Sequence, residues 1–210
     1  MNNARGRFAD FFIRLLKEKP LGIACGIIIV LLILVAIFAD VLAPYRYTEM
    51  HLEDRLQGAS ARYLLGTDQL GRDLLSRLIV GARISMLVGL SATTLNLVVA
   101  VLIGGISGFL GGKVDLVVQR FIDGWMAFPG LLLLLTIMSI VGRGLPQIIV
   151  VLGVTGGIGA SRVVRGAVIG IKENDYFLAA QAVGTPTSQI LIRHVLPNIM
   201  APVIIIFSIN

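Results

Sequence analysis

Few side chains in this sequence have the types and spacing that catalysis or metal binding needs. The two histidines, His51 and His194, lie far apart, and neither belongs to a set of cysteines, histidines or carboxylates with metal-ligand spacing. Gly112-Lys113 approaches a phosphate-binding loop, which requires G-x4-G-K-[ST], but Ser107 and Val114 occupy the first-glycine and hydroxyl positions. The sequence therefore predicts no catalytic residue, no cofactor and no metal.

A polar segment between two apolar stretches has the pattern of a helix-turn-helix surface. Asn174 or Asp175 can accept hydrogen bonds at a helix start, and Gly184 suits the left-handed residue that ends a helix. Thr185-Pro186 predicts the start of a second helix, which Leu196-Pro197 ends. The predicted apolar face of the first helix comprises Tyr176, Ala179, Ala180 and Val183. These residues alone fit a docking surface and an interfacial amphipathic helix equally well.

The composition indicates a membrane protein whose environment is the lipid bilayer. Of the 210 residues, 56% are hydrophobic and only 14% are charged, whereas soluble domains are about a quarter charged. The net charge of +6 comes from basic residues that flank apolar stretches and form no patch with aromatics, so nucleic acid is not an expected partner. The single cysteine, Cys25, can form no disulfide within the chain.

Four apolar stretches are long enough to cross a bilayer, which takes about 20 helical residues. They cover residues 21–43, 84–110, 121–141 and 146–170, and a fifth begins near Asn198. The second contains one strongly polar side chain, Asn96, and the third contains Pro129. The first stretch is longer than a signal-peptide core, so we expect a retained anchor. We also expect the sequence to stop inside the fifth helix, at Asn210.

Basic residues near the stretches predict the orientation. The first 20 residues carry five basic and two acidic side chains, which favours a cytoplasmic N-terminus. Alternating crossings then divide the chain into four regions. These are a cytoplasmic N-terminal segment (1–20), a first transmembrane anchor (21–43), an extracytoplasmic loop with an interfacial helix (44–83), and a core (84–210) that contains spans 2 to 4, the helix-turn-helix at 172–197 and the start of span 5.

Glycines spaced four apart predict close helix packing, because they line one helix face with small residues. The sets are Gly22/Gly26, Gly104/Gly108/Gly112 and Gly153/Gly157. We therefore expect an all-α, polytopic membrane helix bundle.

The helix-turn-helix resembles the "EAA" motif of ABC-importer permeases, through Ala179-Ala180, Gly184 and Leu196-Pro197. In that family the motif forms a cytoplasmic coupling helix that fits a groove on the ATP-binding subunit. Leu178 stands where the family has glutamate, so the surface lacks one carboxylate. The resemblance implies coupling or ATPase-docking roles for Asp175, Tyr176, Leu178, Ala179, Ala180, Gly184, Leu196 and Pro197.

Two further segments resemble the dipeptide/oligopeptide branch of the same family. One is the G-T-D-Q-L-G-R-D run at 66–73, where Asp68 can bond its own backbone and Asp73 can pair with Arg77, four residues on. We favour a structural role there over contact with the solute. The other is the run at 123–129 that ends in Ala-Phe-Pro, where the proline predicts a helix kink. Such a kink can shape a gate, or it can be a defect that is tolerated because neighbouring helices re-satisfy the backbone. Its candidate gate or pathway residues are Asp123, Phe128 and Pro129.

The resemblance covers nearly the whole chain and implies the second permease subunit of an ABC type I importer, in a bacterial or archaeal cytoplasmic membrane. The implied partners are a homologous second permease subunit, two ABC ATPase subunits and an extracytoplasmic substrate-binding protein. The implied cargo is a peptide or a related small solute, with no ATPase site in this subunit. The alternative is a stand-alone secondary transporter or channel subunit, which would be expected to carry ionisable groups at mid-membrane.

Overall fold

The computed structural model describes residues 20–209, apart from the side chains at positions 187, 188 and 194. Its regular structure is helical, which confirms the all-α class. The predicted cytoplasmic segment 1–20, except its last residue, lies outside the described residues. The helices are α1 (Pro20–Ile37), α2 (Ala39–Leu42), α3 (Leu74–Leu110), α4 (Gly112–Met126), α5 (Gly130–Val141), α6 (Leu145–Lys172), α7 (Asp175–Ala182), α8 (Thr187–Ile190) and α9 (Leu196–Ile209), with a 3₁₀ turn at Leu52–Asp54 and a π-helical turn at Leu191–Val195.

Three of these helices, α1, α3 and α6, are long and apolar enough to cross a membrane. At 1.5 Å per residue, the 37 residues of α3 extend about 56 Å, well beyond a bilayer core of about 30 Å. The predicted interfacial helix and second span are therefore parts of one continuous helix. The α4 and α5 pair, bent by 91°, makes a fourth span if both helices belong to one crossing.

The third predicted span, 121–141, is interrupted instead of merely kinked. Pro129 has no N–H to donate and disfavours helical geometry at Phe128, so α4 ends at Met126 and α5 begins at Gly130. The carbonyl of Pro129 accepts the first hydrogen bond of α5, from Leu133 at 3.1 Å. The proline therefore starts a new helix in a different direction.

The chain divides into two compact units, the first ending at Leu87 and the second beginning at Val88. In the first unit, α1 has no buried residue, as expected of a helix that is apolar on every side and faces lipid. The loop between α2 and α3 has its own small core around Tyr63, which is 1% exposed. Arg83 pairs with Asp40 at 2.8 Å and ties α3 to α2.

The second unit is organised around α6. Buried aliphatic side chains of α6 meet those of α9 and the short helices between them, and together they form one continuous core. Its fully or nearly buried members are Ala100, Val164, Val168, Ile171, Phe177, Ile190, Val195, Ile199, Val203 and Ile206.

Glycines allow α3 and α6 to approach backbone to backbone within the second unit. A Cβ on Gly104 would strike the carbonyl oxygen of Ser161, and a Cβ on Gly157 would lie 2.7 Å from the carbonyl oxygen of Asn96. Two of the three predicted glycine sets therefore act in packing. Gly112 departs from that role: it is the first residue of α4, has φ of +54° and has open space around it. Gly26 of the remaining set also faces open space.

Candidate docking and translocation site

The predicted docking helix α7 has a single fully buried side chain, which packs against the core of the second unit. Phe177 is 1% exposed and packs edge-on against Phe109, with ring centroids 6.3 Å apart and planes at 75°. Ala180, one turn on, packs half-buried against the same core. The buried stripe of α7 is therefore Phe177 and Ala180.

The apolar face predicted for α7 is wrong in part. Only Ala180 of the four predicted residues turns toward the core, whereas Val183 is 81% exposed and Tyr176 is 42% exposed. The ring of Phe177 buries more apolar surface than either of them, and it lies on the side that faces Phe109. Because Phe177 points inward, the outward face of α7 comprises Asp175, Leu178, Ala179 and Ala182, all of them exposed.

The ends of α7 follow the predicted positions with different hydrogen bonds at the start. Asn174 occupies the N-cap position, but its side chain donates to the carbonyls of Gly170 at 2.9 Å and Ile171 at 3.3 Å. It therefore closes the end of α6 and does not cap α7. Gly184 has φ of +74°, and the Gly184 and Thr185 N–H groups donate back into the last turn, the arrangement expected of a glycine stop.

Leu196-Pro197 does not end the second helix as predicted. The chain continues from the π-helical turn directly into α9, whose first residue is Leu196. The N–H of Leu196 donates to the carbonyl of Leu191, five residues back. A proline removes one donor from a helix, and the widened turn before Pro197 is a known way of accommodating such a defect.

The candidate gate residues lie where α4 ends. Asp123 forms an ion pair with Arg162 of α6, and its other oxygen lies 3.8 Å from Arg120. Phe128 is 65% exposed, and Pro129 begins the new helix direction. These three residues are thus placed at one elbow, with Asp123 committed to an ion pair.

A second ion pair joins α4 to α6 deeper in the protein. Asp115 accepts hydrogen bonds from both the Nε and a terminal nitrogen of Arg165, which is the bidentate geometry typical of an arginine–carboxylate pair. The Asp115 side chain is 15% exposed, against 50% for Asp123. Lys172 completes this surface by donating to the carbonyl of Phe109 at 2.8 Å, at the end of α3. The arginines of α6, Arg162 and Arg165, therefore hold helices together.

Two neighbouring cavities open along one side of α6. The larger, about 530 Å³, lies in the elbow between α4 and α5. The smaller, about 320 Å³, lies between α6 and the part of α3 that begins at Val88. Both are lined by Leu152, Thr155 and Gly156.

Comparison with known proteins identifies the family. The family described as binding-protein-dependent transport system inner membrane component matches residues 100–210, which include α4 to α9 and thus the predicted docking segment and the elbow. The N-terminal transmembrane domain of oligopeptide transport permease C matches residues 7–59. The chain belongs to the binding-protein-dependent transport system inner membrane component family.

Individual relatives extend the match to most of the chain. The oligopeptide transport system permease protein OppC of Bacillus subtilis (strain 168) is 40% identical over 194 residues, 92% of this chain and 64% of the relative. The dipeptide transport system permease protein DppC of Alkalihalophilus pseudofirmus is 38% identical, over 90% of this chain and 62% of the relative. The glutathione transport system permease protein GsiD of Pectobacterium atrosepticum is 31% identical, over 98% and 68%. The chain thus spans about two thirds of the length of these relatives.

In this family member the G-T-D-Q-L-G-R-D run builds a turn. Asp68 accepts the backbone N–H groups of Leu70 and Arg72 and pairs with the side chains of Arg72 and Arg77. Burial alone would raise the pKa of Asp68, but these donors outweigh it and hold the pKa at about 2. The predicted pair between Asp73 and Arg77 is absent, because Asp73 instead caps α3 by accepting from the N–H of Ser76 at 2.7 Å.

A second polar contact fixes the same loop. The hydroxyl of Tyr63 donates to Asp54 at 2.7 Å, and the Arg62 guanidinium lies 5.1 Å from the tyrosine ring centre. Burial, together with this hydrogen bond, raises the pKa of Tyr63 to about 12, and the same bond lowers the pKa of Asp54. The loop motif therefore serves the fold of the loop, the role favoured from its sequence.

Two residues of the site, Phe177 and Asp115, were not predicted from the sequence. Phe177 lies inside the predicted docking motif, and its aromatic side chain was a usable signal that it anchors the helix. Asp115 offered no local signal, because its partner Arg165 is fifty residues away in the chain.

Proposed function

We propose that this chain is the membrane-spanning permease subunit of an ATP-driven importer for peptides or a related small solute. Its proposed partners are a homologous second permease subunit, two ATPase subunits and an extracytoplasmic substrate-binding protein. The named relatives support the cargo class, since they are oligopeptide, dipeptide and glutathione permeases. The proposed subunit has no ATPase site of its own and depends on its partners for energy.

The observation that carries this proposal is the construction of α7. Its inner side is anchored by Phe177. Its outer side presents the exposed side chains of Leu178 and Ala179, with Asp175 as the charged group of its first turn. Beyond that first turn the face is small and apolar, and such a helix face suits a groove on a partner protein. With the predicted orientation, this face lies in the cytoplasm, where an ATPase subunit would meet it.

The packing around α7 also supports a route for mechanical coupling. Phe177 belongs to the same core as Val164 and Val168 of α6, so a displaced α7 must push on α6. In turn, α6 is tied through Arg162 and Arg165 to α4, directly before the elbow at Pro129. ATP binding would favour one conformation through different contacts at α7 in the two states. Asp123, Phe128 and Pro129 would then act as the moving gate or pathway wall.

The docking role is tested by charge placement on α7. Ala179→Asp puts a carboxylate on the outer face and is expected to lower both ATPase co-purification and ATP-dependent uptake at least tenfold, since central interface positions contribute most of the binding energy. Gln181→Asp adds the same charge on a different side of the helix and is the matched control, expected to stay within twofold of wild type. Equal uptake by wild type and Ala179→Asp would refute docking through this face.

Leu178 supplies a second variant for the same surface. Leu178→Glu restores the carboxylate that the permease motif has at this position, and at 52% exposure the site accepts a longer polar side chain. We expect coupled uptake at or above the wild-type level. A loss as large as that of Ala179→Asp would show that the acidic group does not belong at this interface.

A further inference from the structure

Asn96 is a buried polar side chain whose carbonyl oxygen lacks a hydrogen-bond partner in the part of the chain that the structure describes. It is 5% exposed, its Oδ1 is enclosed, and the oxygen has no hydrogen-bond donor among the described residues. Its amide nitrogen lies against Gly156, where a Cβ would come within 2.5 Å of Nδ2. Within an apolar layer, an unpaired amide costs free energy that a hydrogen-bond partner would recover. The fold thus keeps a costly group in the predicted second span.

The same side chain lines the smaller cavity. One wall comes from α3 and the other from α6, and most of the lining residues are small, which leaves about 320 Å³ of space. The lining shares its α6 wall with the larger cavity at the elbow, so the two form neighbouring parts of one groove within the second unit. Besides Asn96, the lining includes Gly89, Ala92, Thr93, Leu152, Thr155 and Gly156.

The chemistry of the groove restricts its occupant. Among the described residues, the cavity lining contains no carboxylate to hold a cation and no guanidinium or ammonium group to hold an anion. A carboxamide both donates and accepts, so its natural complement is a group that presents N–H and C=O together. Half a turn about the terminal torsion of Asn96 exchanges its oxygen and nitrogen, so either atom can face the cavity.

A peptide group of a transported solute meets this requirement. The backbone of a neighbouring transmembrane helix does not, because its N–H and C=O groups are already paired along the helix. Lipid chains offer no donor at all. We propose that Asn96 is a specificity-determining residue that hydrogen-bonds a peptide group of the solute as it passes the α3–α6 groove. This inference rests on the proposed importer function.

The test is a cycle of two variants and two solutes in the complete, assembled importer. The solutes are trialanine and its depsipeptide analogue, in which an ester oxygen replaces one peptide N–H. We expect Asn96→Leu, which keeps the side-chain size but cannot hydrogen-bond, to reduce the wild-type preference for trialanine by about 2- to 10-fold in kcat/KM of uptake. Selection by the binding protein is the same for the wild-type and the variant importer, so it cancels when their preference ratios are compared.

Thr94→Val is the matched control for Asn96→Leu. Thr94 lies two residues away on an exposed side of α3, and its hydroxyl donates to the carbonyl of Leu90 at 2.7 Å instead of lining the cavity. Its preference ratio is expected to equal that of wild type. Asn96→Ala, which adds no bulk, repeats the measurement if the leucine variant assembles poorly.

Three outcomes would overturn the assignment. An unchanged preference ratio in Asn96→Leu and Asn96→Ala would show that Asn96 does not read the peptide group. Loss of assembly with the second permease subunit in both variants, but not in Thr94→Val, would place Asn96 at a subunit interface. Failure of the wild-type complex to import either solute would instead refute the peptide-importer function itself, and this inference with it.

Discussion

Phe177→Ala should detach α7 from the core while leaving α6 folded. Phe177 is the only buried residue of the eight in α7, so most of the cost falls on docking of this helix. Truncating a buried phenylalanine to alanine costs about 3 to 5 kcal/mol, including the lost edge-on contact with Phe109. At about 1.4 kcal/mol per tenfold, even the lower value raises the detached population about a hundredfold.

Hydrogen exchange of the α7 amides measures that population directly in the purified full-length protein. The expected result is an exchange rate about a hundredfold faster across Asp175–Ala182, with α6 amides slowed or sped by less than threefold. Leu178→Ala is the control, since its side chain is 52% exposed and should leave exchange nearly unchanged. Protection of α7 within twofold of wild type in Phe177→Ala would refute the single-anchor description.

Three further predictions concern packing and charge. Gly104→Val should destabilise the second unit by about 1 to 3 kcal/mol, because the valine side chain would meet the α6 backbone. Gly105→Val, whose side chain enters open space, should leave the stability unchanged, and thermal unfolding of the two variants checks this difference. The pKa of Asp68 in the folded protein is about 2, against an ordinary 3.8. Its stabilisation of the loop should therefore be complete above about pH 4 and lost as the pH falls through about 2, which protease sensitivity of the loop would measure. Asp115→Asn should cost about 2 to 3 kcal/mol in denaturant unfolding and Asp123→Asn less than about 1, since the Asp115 ion pair is the more buried.

Much of the helical framework could be predicted from sequence because the apolar stretches are long. The stretches at 84–110 and 146–170 lie inside α3 and α6, and the left-handed stop at Gly184 has the expected φ of +74°. Spacing also identified Gly104 and Gly157 as close-packing positions. In each case the deciding interaction is local, or is a property of the helix itself.

The errors arise where distant contacts decide. A helix of eight residues has too few turns for periodicity to determine its buried face. The buried side chain is Phe177 because it packs against the ring of Phe109, which lies far away in the chain. The ion pair between Asp115 and Arg165 joins separate helices and leaves no spacing to detect. Pro197 predicts the end of a helix because it has no N–H to donate. In the structure a π-helical turn precedes it and accommodates the missing hydrogen bond, so the helix continues.

The most direct test of the permease role is uptake into sealed vesicles by the full-length protein with the subunits that co-purify with it. An importer subunit predicts trialanine uptake only when ATP is supplied on the ATPase side, with loss of uptake in Ala179→Asp. Uptake by the protein alone, driven by an ion gradient without ATP, would contradict it and establish a secondary transporter.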